Sequence, residues 1–255
     1  MRGEGRLGHD GSYGVFTLSS TGADRAAEVV DTVNMATSAK RSGYRHGDLR
    51  SALLSAGVEL AREGGPGAVV LREATRRTGV SPNAAYRHFA DHHALLRAVC
   101  AHAMGQLARA MEAGQAALPA ASRQQKARAR LRAVGAGYLG YARDEPGLFR
   151  TAFTAADELT DADDAAGDGG LTPFGLLEAA LDELVEVGLL PVEQRPDAEM
   201  TAWSAVHGLS MLLIDGPLKH LDRRQADRIA AQLLDHVEAA LLGSPPKSAQ
   251  TGDTG

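Results

Sequence analysis

Apolar residues recur along most of this chain at the spacing of a helix face. Leu49, Leu53, Ala56 and Leu60 fall at i, i+4, i+7 and i+11, which predicts a helix starting at Asp48, in its first turn or as its cap. The GGPG of residues 64–67 ends it. Short helical stretches follow at 71–78 and 81–89, separated by a break at Gly79. Asp91 caps a longer stretch to about residue 113, which carries Leu95, Leu96, Val99, Met104 and Leu107 inside. Further helices are predicted at 122–143, from Asp144-Glu145-Pro146 onward with Leu148, Phe149 and Phe153, and at about 173–188, 197–214 and 222–242. No strand pattern and no internal repeat interrupts the series. The expectation is an all-α fold of about nine helices.

The two ends read differently. Residues 1–43 are Gly-rich and polar with no apolar period, so they are expected to be a disordered extension with at most a brief helix at 22–36. They lack the continuous apolar stretch of a signal peptide. Met35 precedes a short polar arm, ATSAKRSGYRHG, and two readings stay open: translation starts at Met35, or residues 1–34 are a natural tail. Residues 244–255 read as a disordered tail, and 157–170 as an acidic, Gly-rich, mobile loop. The remaining chain divides into 44–100 and a helical body, 101–243.

Composition excludes several classes. One cysteine, Cys100, leaves no internal disulfide and no Cys-rich zinc site. It is expected to pack rather than act as a nucleophile. No run approaches the roughly 18 apolar residues of a membrane span. With aromatics at 4%, the core must be built of Leu, Ala and Val, which suits close-packed helices. There is no Gly-rich phosphate loop, no HExxH and no GxSxG, so no enzyme, cofactor or metal is expected. Asp157, Glu158, Asp161, Asp163 and Asp164 lack the spaced ligands and turn glycine of a calcium loop and read as a solvated loop.

The net charge of −5 hides an asymmetry. Residues 40–97 carry ten Lys/Arg against five acids, whereas residues 98–255 carry 14 against 22. A basic segment on an acidic body is what a protein needs when one part alone faces phosphates. That segment also holds the most informative local pattern, Leu71-Arg-Glu-Ala-Thr-Arg-Arg-Thr-Gly-Val-Ser-Pro-Asn-Ala-Ala-Tyr-Arg-His-Phe89. Gly79 suits a left-handed helix end, Val80 anchors a turn, Ser81 is an N-cap and Pro82 fits the first helical position. These features specify a helix-turn-helix, whose second helix presents Asn83, Tyr86, Arg87 and His88 at a size fit for the major groove.

TGVSPNAAYRHF, with YRHGDLRSALLSAGVELAREGG before it and ADHHALLRAV after it, resembles the tetracycline-repressor (TetR) family of bacterial regulators. The likeness is strong over about 44–100. The resemblance implies a homodimeric, cytoplasmic transcriptional regulator, a repressor released from double-stranded, two-fold operator DNA by an unknown small-molecule effector. The alternative is a helical ligand-binding or enzymatic protein whose helix-turn-helix is only structural. Implied DNA-facing residues are Arg45, His46, Thr75, Ser81, Asn83, Ala84, Tyr86, Arg87, His88 and His92. Tyr86 would meet phosphate or a thymine methyl, His88, Arg45 and His46 phosphate, and Asn83 an adenine edge. One of Arg72, Arg76 and Arg77 is expected to touch DNA.

Three positions depart from the commonest family pattern: Thr75 replaces an Ala that packs between helices, Ala85 a Leu, and His92 a Lys near a phosphate. Trp203-Ser-Ala-Val-His207-Gly208 resembles the Trp–His–Gly signature of one group of C-terminal domains. Trp203 and His207 share a helix face and allow two readings. One is an effector pocket with a polar handle, lined also by Tyr138, Phe149 and Phe153. The other is a satisfied core histidine beneath a packed Trp, with Gly208 admitting a close helix. Leu212, Leu213, Ile229, Leu233, Leu234, Val237 and Leu241 give the last two helices apolar stripes for a dimer.

Overall fold

The computed structural model describes residues 46–116, 122–156 and 163–243, which lie in one compact unit beginning at Gly43. The expected extension (1–43), the tail (244–255), Arg45 and the acidic residues Asp157, Glu158 and Asp161 fall outside the described residues. The described chain is all-α: α1 His46–Gly64, α2 Leu71–Thr78, α3 Pro82–Tyr86, α4 His92–Ala116, α5 Arg123–Asp144, α6 Pro146–Ala152, α7 Pro173–Glu186, α8 Arg195–Ile214 and α9 Arg223–Leu242. The third helix is shorter than the expected 81–89, closing at Tyr86.

Capping chemistry explains most boundaries. Asp91 Oδ1 accepts the Ala94 N–H at 2.7 Å and opens α4. Ser122 and Gln125 close a reciprocal capping box on α5, and Asp222 and Gln225 do the same on α9. Pro146 stands at the start of α6, where its missing N–H costs nothing.

Leu53, Leu95, Leu107, Met111, Leu148, Phe149, Leu181 and Leu184 are fully buried in a single continuous core. Small residues bring its helices close. At Gly147 a Cβ would lie 2.2 Å from the Ala61 carbonyl oxygen and 2.5 Å from that of Arg62, so only glycine lets α6 press on the end of α1. Arg62 and Glu145 pair across the same seam at 3.0 Å. Cys100 on α4 is buried against α6, its thiol donating to the Thr151 carbonyl at 2.9 Å.

Of the acidic 157–170 loop, residues 157–162 lie outside the described residues, and 163–170 are tied to α4. Glu112 accepts the N–H groups of Asp168 and Gly169 at 2.9 and 3.0 Å. The stripes on α8 and α9 divide: on α9 Leu234, Val237 and Leu241 face the chain's own core and Ile229 and Leu233 are half-buried, while on α8 Leu212 stays exposed and Leu213 is half-buried. A helix packed against α5 must spend that face within its own chain.

Candidate DNA-reading surface and aromatic cluster

The turn between α2 and α3 forms as its residues dictate. Gly79 sits at φ 69°, a left-handed conformation that costs a side-chain-bearing residue energy, and its N–H reaches back to the Thr75 carbonyl. Ser81 Oγ accepts the Ala84 N–H at 3.3 Å, capping α3. Ala85 and Phe89 are buried and fasten the short helix from beneath. The Arg50 guanidinium lies 5.4 Å from the Phe89 ring centroid.

What remains outward is polar or aromatic: Asn83 and Arg87 are exposed, Tyr86 is 56% exposed, His92 is exposed, and Ala84 and His88 are half-buried. Thr75 does not belong to this surface. It is buried and its hydroxyl donates to the Arg72 carbonyl at 2.7 Å, so it packs between helices, where the Ala it replaces would have needed no such bond. His46 lies in the first turn of α1.

The arginines of α2 are unequal. Arg76 grips Glu73 with two hydrogen bonds of 2.7 and 2.9 Å, and Arg77 grips Glu63 with two of 2.6 and 3.0 Å. The Arg76 hydrogen bond, seconded by Arg77, holds the Glu73 carboxyl down at about 2. Glu63 is likewise lowered by Arg77. Arg72 is exposed. An open groove of about 480 Å³ runs along Ala52, Ser55, Ala56, Glu59, Arg77 and Thr78, but its one cation is already engaged by two carboxylates.

The five body residues come together from three segments: Tyr138 on α5, Phe149 and Phe153 on α6 and its end, and Trp203 and His207 on α8. Tyr138 and Phe149 are buried, while Phe153, Trp203 and His207 are half-buried. The Tyr138 hydroxyl lies 2.8 Å from His207 Nδ1 and accepts from Trp203 Nε1 at 3.3 Å. The His207 ring centroid is 4.9 Å from Phe153, edge-on, and 5.7 Å from Phe149. Burial pushes the Tyr138 hydroxyl's pKa up, against the Trp203 bond, and pushes His207 down, so both stay neutral.

Phe174 at the start of α7 completes the group with an edge-on contact to Trp203 at 5.8 Å. Sequence reasoning missed it. It is one of only five phenylalanines in an aromatic-poor chain, and that scarcity was the available signal. Gly208 is exposed and a Cβ there would meet nothing within 4 Å, so among the described residues no helix makes the close approach expected of it. Among the described residues, no helix is long and apolar enough to cross a membrane.

No curated protein matches the chain. Among solved structures, a protein of unknown function from Rhodococcus sp. RHA1 is similar at 23% identity over 79% of this chain and 100% of its own, with a TM-score of 0.64. A TetR-family transcriptional regulator from Pectobacterium atrosepticum is similar at 19% identity over 80% of this chain and 100% of its own, with a TM-score of 0.53. These two likenesses carry the fold. The family follows from the sequence: residues 53–99 match the bacterial regulatory proteins of the tetR family, and residues 131–237 match the tetracyclin repressor-like C-terminal domain. Together these matches cover more than half of the chain, with the turn from Gly79 to Ser81 inside the first and the Tyr138–Trp203–His207 cluster inside the second, and the chain belongs to the TetR family of DNA-binding transcriptional regulators.

Proposed function

We propose that this protein is a homodimeric, cytoplasmic repressor that holds a two-fold operator through α3 and releases it when a small molecule occupies the Tyr138–His207 cluster. The observation that carries the proposal is the exposed face of α3, with Asn83, Tyr86 and Arg87 outward over a buried anchor of Ala85 and Phe89. In this reading residues 44–100 bind DNA and 101–243 bind effector and partner. Tyr86 meets phosphate or a thymine methyl, Asn83 reads an adenine edge, and phosphate contacts are assigned to His88, Arg45, His46 and His92. No catalytic step is part of this proposal. Membership of the Trp–His–Gly subgroup is part of it and rests on Trp203, His207 and Gly208.

Release is supported by the path between the two regions. Helix α6 carries Phe149 into the cluster and presses Gly147 against α1. A ligand that favours one position of α6 biases the position of the reading head, by no more than its differential affinity for the two states. Dimerisation is assigned to the outward faces of α8 and α9, where Thr201, Ser204, Gly208 and Leu212 are exposed beside half-buried Ile229 and Leu233.

The test is binding to DNA upstream of the protein's own gene, followed across a salt series because phosphate contacts are strongly salt-dependent. Tyr86→Ala should weaken that binding by roughly 1–3 kcal/mol with an unchanged fold. Equal binding by the variant would show that α3 does not read the DNA. Leu212→Glu should give a folded monomer on sedimentation with much weaker operator binding, whereas Leu234→Glu, which buries its carboxylate in the chain's own core, should cost roughly 3 kcal/mol or more of stability. A folded Leu212→Glu dimer moves the interface elsewhere.

A further inference from the structure

The hydrogen-bond inventory of the aromatic cluster fixes a proton. The Tyr138 hydroxyl has one hydrogen and two lone pairs. Trp203 Nε1 is a donor only, so its N–H takes one lone pair. Among the described residues the other polar contact of this hydroxyl is His207 Nδ1. If Nδ1 carried a hydrogen, it would donate to Tyr138, and the hydroxyl hydrogen would have no acceptor in a side chain only 3% exposed. The arrangement that satisfies every atom is therefore Trp203 N–H to Tyr138, Tyr138 O–H to His207 Nδ1, and the imidazole hydrogen on Nε2. A relay of this kind polarises its last donor.

That last donor, His207 Nε2–H, has no hydrogen-bond acceptor among the described residues, although the ring is only half-buried. Around it stand Phe149, Phe153, Trp203 and, behind Trp203, Phe174, of which Phe153, Trp203 and Phe174 are partly accessible. Among the described residues no charged side chain is hydrogen-bonded to or stacked on any of the six. An ionised ligand would lose its water there without gaining a counter-charge. A pure hydrocarbon would displace water from Nε2–H and leave the donor unpaired.

We infer that this site binds an uncharged, flat, largely apolar compound through a carbonyl-type oxygen that accepts a hydrogen bond from His207 Nε2. This rests on reading the cluster as the effector site and adds the chemical class of the effector. The aromatic edges and faces hold the apolar body, and the relay from Trp203 selects the oxygen.

Trp203 is the chain's sole tryptophan, so its fluorescence reports on this site alone. The experiment titrates the full-length protein with three probes of one shape: 2-acetonaphthone, 2-ethylnaphthalene and 2-naphthoate. The ketone should quench Trp203 with about tenfold tighter binding than the hydrocarbon, the size of one neutral hydrogen bond. The carboxylate should bind no tighter than the hydrocarbon. His207→Phe keeps a ring and removes the donor, so it should bind ketone and hydrocarbon alike, and His207→Gln, which keeps a donor, should retain part of the preference. Equal binding of ketone and hydrocarbon by the wild type, preference for the carboxylate, or no quenching by any probe would each overturn the inference. Operator affinity measured with the same probes separates the two layers. Ketone-selective binding without release of DNA leaves the ligand site standing and removes its effector role. Release by all three probes equally keeps that role and removes the carbonyl selectivity.

Discussion

The reading head and the aromatic cluster solve opposite problems with side chains of similar kind. In the head, Tyr86 stands 56% exposed on a five-residue helix whose cap, turn and anchor all lie within a few residues of it. In the cluster, Tyr138 is 3% exposed, and its two hydrogen-bond partners lie 65 and 69 residues away in sequence. One tyrosine is presented to solvent by local geometry. The other is satisfied by a distant helix and in turn orients a histidine. An exposed surface can be built from short-range rules, because water completes its polar interactions. A donor that must be desolvated has to be supported from inside the fold.

The comparison breaks most sharply at the seam joining the two regions. Gly147→Val would push a side chain into the carbonyls of Ala61 and Arg62 and should cost about 3 kcal/mol of stability, read as a lower unfolding midpoint. Operator binding should fall with it, since α1 belongs to the head. A variant of native stability would mean that α6 and α1 are not held in this contact.

Tyr86→Ala, described above, should lower DNA affinity while leaving the unfolding midpoint within experimental scatter. Tyr138→Phe should do the reverse. Removing the hydroxyl leaves the Trp203 N–H and His207 Nδ1 without their partner, for a loss of about 1 kcal/mol in denaturant unfolding and no change in DNA affinity without effector. If Tyr138→Phe weakens operator binding as much as Tyr86→Ala does, the cluster is part of the DNA-holding state rather than a separate site.

The smallest expected effect is a pH dependence in the head. Glu73 is held at about 2, below its ordinary 4.5, chiefly by Arg76. Its lowered value makes its contribution complete above pH 4.5 and lost as pH falls through about 2. Carboxyl NMR should therefore find Glu73 still ionised at pH 3. A midpoint near 4.5 would mean that Arg76 and Arg77 swing free of it and, like exposed Arg72, are available to phosphates.

How much was legible depended on the range of the interaction. Capping residues, Gly79 and the apolar spacing announced the helix order and the helix-turn-helix, because these are contacts within a few residues of the chain. The same local signals overran at α3, since nothing in the sequence of 87–89 shows that the chain turns there to bury Phe89. That Asn83, Tyr86 and Arg87 stand outward follows from the local turn, whereas the burial of Thr75 is set by a neighbouring helix.

In the body, the sequence by itself determined that Trp203 and His207 share a face, because helical periodicity requires it. It did not determine that Phe174 joins them, or that Leu234, Val237 and Leu241 turn inward while Gly208 faces open space. An amphipathic helix specifies that one stripe must be covered, and both a neighbouring helix and a second chain satisfy that demand equally. Only the packing of α9 on α5 and α8 decided which residues the chain covers itself. Only the meeting of α5 with α8 brought the Tyr138 hydroxyl within 2.8 Å of His207 Nδ1, because a contact between residues this far apart follows from packing and not from spacing along the chain.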